Sequence, residues 1–311
     1  MTDAELKSLV TLLDDDDPEV FRHIEAKILS LGKPVINFLE NEWGIMKNIE
    51  HQQKVENIIH QIQYKDLFSQ FMLWYKSKDQ DLLEGVFLIA RYRFPELEKQ
   101  TLVNAIEKLR LDVWLEMNYD LSPPEKVKII NYIFYKVHGF KGNIDNYHDP
   151  RNSFINDVLE SKKGNPILLA VIYILIAQKL NIPIYGVNLP QHFVLAYLEE
   201  FGKNNVELKF NDIEHLLDQN GKILFYINAF NQGAIFSKVN LEQFLNQIHI
   251  EPKKDFLKPC SNLDIVKRVL RNLASAYEKL GKPQKHKEIQ ELLFALGEPP
   301  INSFHDVNND E

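Results

Sequence analysis

The side chains best able to do chemistry in this chain are few and dispersed. His192, in the run QHFVLAY, alternates with Val194 and Ala196 on one face of a strand pattern, while Phe193, Leu195 and Tyr197 take the other. An imidazole there could act as a base or as a hydrogen-bonding group. Gln191 beside it could donate into the same groove. Upstream, Asn165 and Pro166 open the run GNPILLA, a favoured cap followed by a favoured first helical residue. A helix N-terminus, with unsatisfied N–H groups and a partial positive charge, is where a cysteine thiolate would be stabilised. Pro166 brings no functional group to that place. The one cysteine, Cys260, lies between Pro259 and Ser261, far from His192 in the chain. Ser153, Ser161 and Ser237 could replace a thiol, but none has a Gly-x-Ser-x-Gly setting. The histidines show no His-x-x-Glu-His spacing, and the glycines form no phosphate-cradling loop, so no metal and no cofactor is assigned.

The elements that must position these residues are legible from periodicity and punctuation. Leu6, Leu9, Val10 and Leu13 have helical spacing, and Asp17-Pro18 caps a second helix carrying Val20, Ile24, Ile28 and Leu31 as far as Gly32. A third helix is predicted from near Pro34. The junction LLDDDDPEV resembles that of HEAT-like repeats, without a second copy at a fixed period. Further helices are predicted at 51–77, 79–93, 95–117 and 123–138, then a loop over GFKGNIDNYHDPRNSF and a short helix at 153–160. The helix from Pro166 to Leu180 is apolar nearly all round, which requires neighbours on every side. Strand patterns follow at 182–187, 192–197, 205–210 and 222–227, with LEEFGKNN as a hairpin connection and Asn220-Gly221 as a turn. Between them NDIEHLLDQ reads as one or two helical turns. A helix near 240–248 and a helical hairpin over 261–296, turning at Gly281-Lys282-Pro283, precede a polar tail.

Composition bounds the function classes. A net charge of -8 argues against a general nucleic-acid or anionic-membrane surface. The run ILLAVIYILIA has roughly half of the ~20 residues a membrane span needs, so it reads as a buried helix. A single cysteine and an N-terminus without signal-peptide character fit a reducing, cytoplasmic setting.

GNPILLAVIYILIAQKLNIPIYGVNLPQHFVLAY, together with YINAFNQGAIF and the preceding DPRNSFINDVLESKKG, resembles the transglutaminase-like superfamily, specifically its SirB regulator branch. The resemblance implies an α+β fold: a helical N-terminal domain at 1–140, HEAT-like in part; a papain/transglutaminase-like core at 141–250, with a small antiparallel sheet on a buried central helix; and a helical hairpin and tail at 251–311. Carried over position by position, the triad cysteine falls on Pro166, the histidine on His192 and the aspartate on Asn228. Asn228-Ala229 stands where that branch shows Asp-Pro, and asparagine can still orient an imidazole. An absent thiol cannot be compensated in the same way, because acyl transfer by that mechanism needs the covalent step.

The expectation is a non-catalytic module that binds a protein or peptide, or regulates through it, with Asn165, Gln191 and His192 as candidate binding residues. One alternative is a hydrolase or acyl transferase using His192 with a non-cysteine nucleophile or activated water. The other is a helical scaffold with an inert cleft.

Overall fold

A computed structural model of the chain describes residues 2–15, 17–118, 120–199 and 222–299. The strand expected at 205–210, the helical turns of NDIEHLLDQ, the turn at Asn220-Gly221, most of the LEEFGKNN connection and the polar tail lie outside the described residues. The chain divides into two compact units, Met1–Phe71 and Met72–Glu311.

The first unit is built from α1 (Asp3–Leu12), α2 (Pro18–Leu31), α3 (Ile36–Ile45) and the greater part of α4 (Ile49–Lys76). The Asp17-Pro18 start forms as expected, with the Asp17 carboxylate accepting the Glu19 N–H, and Gly32 ends α2 at φ +66°. A short 3-10 turn, Lys33–Val35, takes up the chain where the third helix was predicted to begin, so α3 starts two residues after Pro34. Val10, Leu13, Ile28, Leu39, Val55 and Ile58 are among the side chains that close this unit's own core. Residues of α4 satisfy carbonyls at the end of α1: His51 Nε2 lies 2.9 Å from Val10 O, and Lys54 Nζ donates to Leu13 O.

The second unit is mostly helical around a small sheet. It contains α5 (Leu82–Arg91), α6 (Lys99–Glu116), α7 (Pro123–Asn131), α8 (Ile155–Ser161), α9 (Pro166–Lys179), α10 (Lys238–Gln247), α11 (Asn262–Lys279) and α12 (Pro283–Ala295). The segment predicted as one helix over 123–138 changes to a π-helical turn at Tyr132–Val137. That turn leaves Tyr132 exposed and buries Phe134 and Tyr135, whose hydroxyl donates to Ala229 O at 2.7 Å. The apolar helix behaves as its composition demands: every residue from Ile167 to Ala177 of α9 is buried. Among the described residues no helix is long and apolar enough to cross a membrane.

Four antiparallel strands, β3 (Ile184–Asn188), β4 (Phe193–Leu198), β5 (Ile223–Asn228) and β6 (Ala234–Phe236), follow the order β3-β4-β5-β6. Ile184 pairs with Tyr197, Leu195 with Ile227, and Tyr226 with Phe236. Strand β6 has no counterpart in the sequence reading, since three residues are too few to show alternation. The Asn131 amide reaches 2.9 Å to Gly233 O in the β5–β6 turn. Gly233 has φ +70°, and a Cβ there would strike Asn131, so the turn requires glycine on both counts. A parallel pair, β1 (Lys141–Gly142) with β2 (Lys163–Gly164), ties the loop after the π-turn to the head of α9.

Candidate functional site

The head of α9 is built by local rules. Asn165 has extended backbone geometry, and its Oδ1 accepts the Leu168 N–H at 2.9 Å, while Pro166 takes the first helical position without wasting a donor. Gly164 lets α8 approach, since a Cβ there would lie 2.9 Å from Val158 Cγ1. The Asn165 side chain is 5% exposed and also donates to Ser153 Oγ at 3.3 Å. Ser153 is equally buried, at the end of a 3-10 turn, Pro150–Ser153, that Asp149 caps.

These two residues open into a pocket of about 120 Å³. Its other walls are Tyr147, His148 and Asp149 from the loop before the 3-10 turn, and Asn272, Ser275 and Ala276 from α11. A larger cleft of about 530 Å³ shares Asp149 and is lined entirely by polar side chains, including Asn143, Asn152, Arg151, Asp157 and Glu160. Burial works to raise the Asp149 carboxyl pKa, but the Arg151 guanidinium, donating to Oδ2 at 2.7 and 2.9 Å, outweighs it and holds Asp149 below the usual range. Asp157 goes the other way. Burial raises its pKa despite Arg93, whose Nη1 is 3.6 Å away, and its Oδ2 accepts no hydrogen bond.

His192 is elsewhere. The alternation read from the sequence holds: Val194, Ala196 and Leu198 pack with Leu241 and Leu245 of α10, and the His192 ring meets Phe244 of α10 edge-on at 4.8 Å. Phe193 turns the other way, toward Gly186 and Ile265 of α11, and Tyr197 shares that face with Tyr173 of α9. His192 therefore lies on the α10 side of the sheet, not among the residues lining the pocket at the head of α9. Its Nδ1 is buried without a partner. Gln191 is exposed at φ +56°. Asn228 accepts the N–H groups of Phe230 and Asn231, both at 3.1 Å, and so closes the turn after β5.

The candidate nucleophiles are also separated. Cys260 donates its N–H to Gly186 O at 2.8 Å, beside β3, and burial, with Asp264 nearby, pushes its thiol pKa up to about 12. Ser161 donates to Asp157 O, and Ser237 caps α10. Ser153 alone joins Asn165 at the pocket. Among the described residues no three His, Cys, Asp or Glu side chains converge as a metal site would need.

Sequence reasoning missed Tyr147, His148, Asn272 and Ser275. In the sequence the loop shows only as a connection, and α11 only through its apolar face. The available signal was the polar row Arg268, Asn272, Ser275 and Lys279, spaced by four, three and four residues along one side of α11.

The profile of the transglutaminase-like superfamily matches residues 100–271, more than half of the chain. UPF0162 proteins of Xylella fastidiosa and Vibrio cholerae are 33% and 26% identical over 63% of this chain, covering 64% and 66% of their own lengths. Mouse F-box only protein 21 is 27% identical over 53% of this chain and 24% of its own length. The chain spans less than two thirds of the length of these relatives. No solved structure matches.

Proposed function

This chain belongs to the transglutaminase-like superfamily, and from that premise we propose a non-catalytic, regulatory role in which the polar pocket at the head of α9 binds a protein or peptide. The observation that carries this reading is the capping pair Asn165-Pro166. The place where a helix N-terminus would activate a thiol is occupied by a residue that only starts the helix. The single cysteine supports it, lying half-buried beside β3 with its thiol pKa raised. The enzyme alternative that uses His192 is disfavoured, since His192 packs against Phe244 and does not line this pocket. The pocket lining includes Asn272 and Ser275, whose side chains have no hydrogen-bond partner among the described residues, and that spare hydrogen-bonding capacity favours binding over an inert scaffold. The match to about a quarter of F-box only protein 21 fits a module that recurs within longer chains.

A peptide-display selection on the full chain tests this. Peptides retained by the wild type should be lost when Ser275→Trp fills the pocket mouth while melting is unchanged. Failure to retain any peptide, or a hydrolytic or transamidating activity abolished by alkylating Cys260, would overturn the proposal.

A further inference from the structure

The polar face of α11 gives the pocket a sign. Arg268, Asn272, Ser275 and Lys279 form one row of donors with no acid among them. Opposite stands the loop carrying Tyr147 and His148, and the Lys279 ammonium lies 3.0 Å from His148 Nε2. Asn272 and Ser275 have no side-chain hydrogen-bond partner among the described residues. Ser153, 3% exposed, accepts from Asn165, and its own hydroxyl proton has no protein acceptor there.

Arg268 carries a half-buried charge. Its Nη1 donates to two neutral acceptors, Asn188 Oδ1 and Leu189 O, both at 3.3 Å, and among the described residues no carboxylate pairs with it. Burial, and Arg271 nearby, lower its pKa, while the Tyr147 hydroxyl lies close enough to act in the opposite direction. The acid in the pocket wall, Asp149, is already neutralised by Arg151. Unspent donors in the lining, two cations on the same face of α11 just outside it and a compensated acid together select an anionic acceptor. The volume, about 120 Å³ or roughly four waters' worth, admits one small group.

Resting on the binding reading above, we propose that this pocket takes a carboxylate of the peptide partner, held by Asn272, Ser275 and Ser153 under the field of Arg268 and Lys279. The carboxylate can come from a chain end or from an acidic side chain, and the two sources are separable.

The test is a nuclear magnetic resonance titration of the full-length protein with three probes: N-acetylglycine for a chain end, N-acetylglutamic acid α-amide for an acidic side chain, and neutral N-acetylglycinamide. The side-chain amides of Asn165 and Asn272 should shift saturably with at least one acid, which identifies the source. The neutral amide should bind about tenfold more weakly or worse, the usual size of a charge-assisted contact. Arg268→Gln should abolish the preference for acid over amide. Lys279→Gln, on the exposed end of the row, should reduce it should Arg268→Gln fail to fold. Equal binding of acid and amide, or no shift at these two asparagines, overturns the proposal. If neither acid binds but display-selected peptides are still retained, the carboxylate assignment alone falls. If the peptides are lost too, the binding reading falls with it.

Discussion

At the scale of single residues, position relative to the sheet decides what a polar group does. His192 has a ring edge-on to Phe244 and a buried, unpartnered Nδ1, so its side chain is part of the packing between β4 and α10. His192→Ala should cost about 1–2 kcal/mol through the lost ring contact and the cavity left behind, and lower the melting temperature by about 3–6 °C. Peptide binding at the head of α9 should be unchanged. Thermal melting beside a binding titration checks both, and weakened binding with an unaltered melt would refute the placement. Asp157 tests electrostatics in the same way. Its folded pKa is raised by burial, so its contribution to stability is full below the unfolded value of about 4 and is lost as pH rises through the folded value. At pH 7 the ionised group is a net cost. Asp157→Asn should therefore melt about 1–3 °C higher than wild type at pH 7, and the advantage should vanish below pH 4. A lower melt at pH 7 would mean that Arg93 outweighs burial.

At the scale of elements, α9 is the member that cannot be altered without losing its unit. Ile172 has no exposed surface and lies in the middle of eleven consecutive buried residues. Ile172→Asp would bury a charge without a partner and cost several kcal/mol, a large part of a typical stability of ~5–15 kcal/mol. Circular dichroism should show loss of cooperative unfolding. A soluble variant with an unchanged midpoint would remove α9 from the core. The α11–α12 pair depends on complementary faces instead: Leu270, Leu273, Ala274 and Tyr277 are buried, as are Ile289, Leu292, Leu293 and Leu296. That leaves the other side of α11 free to supply the polar row of the pocket.

At the scale of the whole molecule, two cores imply two separable responses. Leu39 is fully buried in the cluster of the first unit. Leu39→Ala should cost about 2–5 kcal/mol there. Hydrogen exchange should accelerate across Met1–Phe71 while the amides of β3 and β4 keep their protection. Uniform acceleration along the chain would show a single cooperative unit.

What the sequence determined by itself was local: Asp17-Pro18 and Asn165-Pro166 as helix starts, the all-apolar helix as a buried one, the alternation at 192–197, and the α11–α12 hairpin with its facing residues. Each of these depends on groups a few residues apart, so periodicity and capping chemistry are enough. The π-turn at Tyr132–Val137 and the strand β6 were not legible, because the first is held by contacts such as Tyr135 with Ala229, 94 residues on, and the second is too short to show a period. The site followed the same division. Asn165 and Pro166 could be placed at a helix head from the sequence, but alternation says only that His192 and Phe193 oppose each other, not which of them faces α9. Tertiary packing decided that, by filling one face of the sheet with α10 and the other with α9 and α11. It also brought residues 147–153 to residues 272–275, more than a hundred positions later. No local interaction encodes that approach, because it exists only once both segments have packed against the buried helix.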